Sequence, residues 1–102
     1  MEFHRGRLID HVHLRCRDLA ASQRFYRAVL DALGIPVLSE SGGHLAADEL
    51  WLDAADVDGP ASRVHLAFQC PDRATVWRVH AAALAAGGTD NGEPGIRELY
   101  HP

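Results

Sequence analysis

Lysine is absent from this chain; all ten basic residues are arginine. They are scattered, as in Arg5, Arg7, Arg15, Arg17, Arg24 and Arg27, with no aromatic-interleaved basic patch. Together with a net charge of −4, that excludes the electrostatic footprint of a nucleic-acid binder. No apolar run approaches the ~20 residues of a membrane span, so no membrane partner is expected. Residues 1–7 carry no apolar core of a signal peptide, so none is expected. Cysteine is scarce, at two residues without metal-like spacing. That suits a reducing cytoplasm. No Ser/His/Asp or Cys/His motif and no phosphate-cradling glycine loop stands in the chain, and nothing is low-complexity.

The most informative feature present is a repeat. His11 recurs 54 positions on as His65, Cys16 as Cys70, Asp18 as Asp72, and Gly34 as Gly88. Arg24/Arg78, Ala28/Ala82 and Leu30/Leu84 keep the same offset without a gap. A rival offset of 52 matches Val12-His13-Leu14 to Val64-His65-Leu66. It sets Asp18 against Cys70 and loses both helix boundaries, so it is rejected. A period that spans a strand and a helix means two copies of one supersecondary module. A chain of 102 residues, 47% hydrophobic and 24% charged, holds them in one domain with a modest core.

Residues 8–16 alternate as a strand, with Leu8, Asp10, Val12, Leu14 and Cys16 on one, mostly apolar face and Ile9, His11, His13 and Arg15 on the other, mostly polar one. Asp18 is placed to cap a helix whose apolar face carries Phe25, Tyr26, Val29, Leu30 and Leu33. Gly34 and Pro36 end it. Residues 35–53 read as short strands turning at Gly42-Gly43, clearest over 49–53. Residues 55–62 form a linker rich in turn formers. The second copy opens with a strand over 63–70, then a helix capped by Asp72 and stopped at Gly87-Gly88. After Gly88 the chain has 14 residues, 89–102, holding a short extended stretch, 96–100. The first copy has 28, residues 35–62, after Gly34. Module one is therefore 8–54, and module two, 63–102, is short by about two strands at ~5–6 residues each.

The chemistry is expected on the faces turned from the helices. There His11, His13 and Arg15 match His65, Ala67 and Gln69, and His11 and His65 become symmetry mates. Two imidazoles with a carboxylate suit Zn, Ni, Fe or Mn with open positions. The plain alternative is a solvated polar sheet face. Cys16 and Cys70 read as buried inert thiols, Asp18 and Asp72 as caps, Tyr26 and His80 as packing residues, and His4 and His44 as loop residues. Trp51 suits a pocket wall or the core, the commoner place for it.

Ile9-Asp10-His11-Val12-His13-Leu14, then Asp18-Leu19, Phe25-Tyr26 and Leu33-Gly34, resembles the start of the glyoxalase/bleomycin-resistance/extradiol-dioxygenase superfamily, the vicinal oxygen chelate fold. Val64-His65-Leu66-Ala67-Phe68, Pro71-Asp72 and Ala85-Ala86-Gly87-Gly88 resemble its second module. The resemblance implies an α+β fold of two βαβββ modules forming a curled mixed sheet around a pocket, here with the second module truncated at its last hairpin. It implies metal ligands at His11 and His65, with Glu49 a weak candidate for a carboxylate. The Glu such members carry after an Asp-Pro-x-Gly turn is missing from this chain. His13, Arg15, Trp51 and Gln69 would line the pocket, with His101 at its rim. The implied function is a small-molecule metalloenzyme, a glyoxalase-type lyase or isomerase or a ring-cleaving dioxygenase, whose metal chelates vicinal oxygens of substrate. The alternative is a metal-free protein binding an antibiotic-type small molecule. A homodimer is expected in either case.

Overall fold

The structure, a computed structural model, describes residues 8–89. Strand β1 (Val12–Cys16) leads into helix α1 (Leu19–Leu33). Three strands follow, β2 (Ser39–Ser41), β3 (His44–Ala47) and β4 (Leu50–Ala54), and then helix α2 (Arg73–Ala85). The sheet is mixed, in the order β1-β4-β3-β2. β1 and β4 run parallel, and the other pairs are antiparallel. This is an α+β fold of a four-stranded mixed sheet and two helices among the described residues.

Local chemistry sets the boundaries. Asp18 accepts the Ala21 N–H at 3.1 Å, satisfying a donor the first turn leaves open. Gly34 ends α1 at φ +75°, and its N–H reaches the Asp31 carbonyl at 3.0 Å. A residue without Cβ takes that left-handed conformation freely. At α2, the Asp72 carboxylate accepts both the N–H and the hydroxyl of Thr75, each at 2.7 Å. The Asp72 carboxyl is held below its usual range by the Thr75 N–H first and by the Thr75 hydroxyl next, with burial opposing and Arg78 assisting.

Period-two alternation divides the sheet into two faces. Leu14, Cys16, Leu45, Ala47, Leu50 and Leu52 pack with Leu30 into the core, and Leu19, Tyr26 and Val12 close around them. Leu45 and Leu52, opposite each other in the ladder, are both 0% exposed. The half-buried Tyr26 hydroxyl has its pKa raised, first by burial and then by Cys16. Helix α1 is also tied to the β2–β3 hairpin. Gln23 Nε2 donates to the carbonyls of Ser41 (2.8 Å) and His44 (3.0 Å), and Arg27 pairs with Glu40.

Two expected strands differ. The first begins at Val12, not at residue 8, and Leu8 is 96% exposed. Its partner β4 starts only at Leu50, after a turn at Asp48 (φ +47°), so earlier residues have no ladder to join. Residues 61–70, expected to hold the second copy's strand, form no regular element. Alternation partly survives there, since Leu66 packs on the core while His65, Ala67 and Gln69 are exposed. The edge of β1 is met instead by Ser62. Its N–H donates to the Arg15 carbonyl at 3.0 Å, and its hydroxyl accepts the Arg15 N–H at 2.9 Å. A strand pattern marks which side chains face inward, but the ladder needs a partner. Cys16 is buried, Cys70 is half-buried, and both are free thiols. His4, His101 and the stretch 96–100 lie outside the described residues.

Candidate functional site

The sheet face turned from α1 carries two rows of side chains, fixed by register. His13, Trp51, Ala46 and Ser39 form one row across the four strands. Arg15, Asp53, His44 and Ser41 form the next. Each strand places these residues outward for the same reason that it places Leu14, Leu52 and Leu45 inward.

Asp53 is the hub. Its Oδ1 lies 2.9 Å from His13 Nε2 and 3.5 Å from Arg15 Nε. Trp51 Nε1 donates to Oδ2 at 3.4 Å. Oδ1 is shut off from solvent, with His13 Nε2 and Arg15 Nε its nearest polar neighbours. The Asp53 carboxyl sits below its ordinary range. The close His13 contact is the largest cause, burial opposes it, and Trp51 and Arg15 add to the lowering.

Beside this hub stands an aromatic pair. The rings of Trp51 and His44 stack with centroids 4.6 Å apart and planes 10° from parallel. His44 is braced at both nitrogens, by the Ser39 hydroxyl at 2.6 Å and the Ser41 hydroxyl at 2.8 Å. The Gly43 N–H donates to Ser41 Oγ at 3.0 Å. Trp51 remains 38% exposed, a broad apolar surface on a polar face. It therefore stands outside the core, where its residue type alone would more often put it.

Among the expected site residues, the structure brings His13, Arg15 and Trp51 together around Asp53. His11 is exposed, with Nδ1 3.1 Å from Asp10 Oδ1. His65 and Gln69 are exposed in the irregular segment 61–70. Glu49 immediately precedes β4, and its carbonyl accepts the Val12 N–H at 2.6 Å. Among the described residues no three His, Cys, Asp or Glu side chains converge as a metal set. His11, His65 and Glu49 thus do not form one there, and no chemical step is derived through a metal.

Asp53 and His44 were not among the expected site residues. Asp53 follows Trp51 by two, so strand parity alone places it on the same face. His44 opens β3 rather than sitting in a loop, and the Gly42-Gly43 turn before it was the signal.

Comparison with known proteins gives this face its context. The family model described as Glyoxalase/Bleomycin resistance protein/Dioxygenase superfamily matches residues 8–98. The chain belongs to this superfamily. A solved structure, a glyoxalase/bleomycin resistance protein from Albidiferax ferrireducens T118, is similar to it at a TM-score of 0.73 and 28% identity, covering 90% of this chain and 81% of that chain. No curated protein matches the chain. Membership of the glyoxalase/bleomycin resistance/dioxygenase superfamily accounts for the order β1-β4-β3-β2 and leaves the chemistry to the side chains. No helix among the described residues is long and apolar enough to cross a membrane.

Proposed function

We propose that this protein binds a small organic molecule on the open face of its sheet, without a metal. The observation that carries this reading is the union of two features on one face. An exposed Trp51, braced by His44, stands beside His13 and Arg15, which Asp53 positions. A stacking surface beside fixed polar groups is what a small-molecule site requires. The test is an NMR titration with small aromatic compounds of different charge, following the backbone and indole resonances of β1 and β4. Trp51→Ala is expected to remove the response. No response on these strands from any compound would refute the reading.

A second reading keeps a divalent metal, Zn, Ni, Fe or Mn, between His11 and His65 with Glu49, in a lyase, isomerase or ring-cleaving dioxygenase. It is supported by the Val12–Glu49 backbone contact, which sets His11 and Glu49 at neighbouring ends of β1 and β4. Metal titration tests it. Unchanged affinity for all four metals in His11→Ala and His65→Ala removes it. Residues 63–89 are proposed as the start of a second βαβββ module, because Asp72 repeats the capping role of Asp18. A cytoplasmic homodimer completes the proposal, supported by two free thiols and by the exposure of Trp77 and Leu38.

A further inference from the structure

The open face carries more than a generic stacking surface. Arg15 touches Asp53 through Nε. Among the described residues its terminal Nη groups make no hydrogen bond or ion pair, and its side chain is 47% exposed. A guanidinium has five donors in a fixed fork, so the end that meets solvent is still unspent. Asp53 has the opposite status. One oxygen is buried against His13 and Arg15 and the other takes the Trp51 indole N–H. Asp53 is thus occupied at both oxygens, and Arg15 is occupied only at Nε among the described residues.

The aromatic geometry adds a direction. His44, on β3, covers one face of the Trp51 ring. No other ring stacks on Trp51 among the described residues, Trp51 is 38% exposed, and its strand lies beside β1, which carries His13 and Arg15. Trp51 is held by its N–H to Asp53, and His44 by two seryl hydroxyls. The stack is therefore pre-formed, and a ligand does not have to order it.

We infer that this face selects a planar aromatic anion, an aryl carboxylate in the simplest case, with its ring on Trp51 and its charged group on the terminal nitrogens of Arg15. This rests on the small-molecule reading above and names the ligand class for that same site. The net charge of −4 does not oppose it strongly. Exposed charges are largely screened beyond the ~8 Å Debye length at physiological salt, so the group in contact decides. Asp53, the carboxylate that takes the Trp51 indole N–H, is already engaged by His13 and Arg15, so it offers a cationic aromatic less than Arg15 offers an anionic one.

The test uses the full chain and an NMR titration that follows the Trp51 indole N–H. The probes are benzoate, benzylammonium, benzyl alcohol and cyclohexanecarboxylate. Benzoate is expected to bind with a Kd in the millimolar range, as befits about nine heavy atoms on an open surface. Cyclohexanecarboxylate and benzyl alcohol, each lacking one of the two features, are expected to bind several-fold more weakly. Arg15→Gln is expected to weaken benzoate about tenfold or more, the scale of a lost charge-assisted contact, and to leave benzyl alcohol unchanged. Benzylammonium binding at Trp51 as tightly as benzoate overturns the anion assignment while the small-molecule reading stands. Binding of none of the four at Trp51 overturns both. The ranking of probes on the unaltered protein decides the matter even if Arg15→Gln fails to fold.

Discussion

Leu52→Ala is the perturbation that most directly tests which face of the sheet is the site. Leu52 and its ladder partner Leu45 are both 0% exposed, between the sheet and α1. Truncation removes three carbons, about 2.4 kcal/mol at ~0.8 kcal/mol per buried methylene. The cavity left behind adds to this, and buried Leu→Ala changes span roughly 2–5 kcal/mol. A loss of about 3 kcal/mol is expected, a large share of the ~5–15 kcal/mol that holds a domain together. For a domain of this size it lowers Tm by about 12–24 °C, at ~4–8 °C per kcal/mol. Urea unfolding followed by far-UV circular dichroism measures it, with Leu38→Ala as control. Leu38 is 64% exposed, so the same substitution is expected to cost no more than about 0.5 kcal/mol. If Leu52→Ala costs less than about 1 kcal/mol, the assignment of faces is wrong. A one-residue slip of β4 would turn Leu52 outward and bury Trp51 and Asp53, and the candidate site would be core.

Two further outcomes follow from the geometry. The folded state holds the Asp53 carboxyl below its ordinary value, so Asp53 contributes stability that is present above its unfolded pKa of ~3.9 and is lost as pH falls through the lower folded value. Asp53→Asn is therefore expected to flatten the acid limb of stability in that window, read as urea midpoints at stepped pH; parallel acid limbs for the two proteins would sink the claim. At Gly88, an added Cβ would lie 2.7 Å from the Ala83 carbonyl oxygen and 2.9 Å from Phe25 Cε1. Gly88→Ala is expected to lower stability by about 1–3 kcal/mol through overpacking where α2 ends against α1, and an unchanged urea midpoint would contradict that packing.

The parts legible in the sequence were those with local causes. The Asp18 and Asp72 caps, the Gly34 stop and the Gly42-Gly43 turn each depend on a few adjacent residues, and each stands where the pattern put it. The split of β1 into a helix-facing set and an open-face set was legible for the same reason. What the pattern could not supply was partnership. Residues 63–70 alternate as well as β1 does, yet they form no strand, because no ladder meets them among the described residues. The site shows the same limit. His13 and Arg15 were readable as outward residues, but the carboxylate that joins them lies 40 and 38 positions away, on a parallel neighbour. Trp51 shows it again, since its residue type favours the core while its strand phase sends it outward.

Asp53 sharpens what the open face is for. A carboxylate with one oxygen sealed from solvent is costly unless charge compensates it. The Arg15 guanidinium and the close His13 contact offset that cost, but apolar residues of similar size commonly stabilise such a position as well or better. Fold stability alone therefore does not call for the trio. What the trio adds is direction. Asp53 draws Arg15 in by Nε and leaves the forked end at the surface, while its second oxygen takes the Trp51 indole N–H. One half-buried carboxylate thus fixes a cation and an aromatic ring on adjacent strands at once. A face whose only task was to be wet would need none of these three contacts.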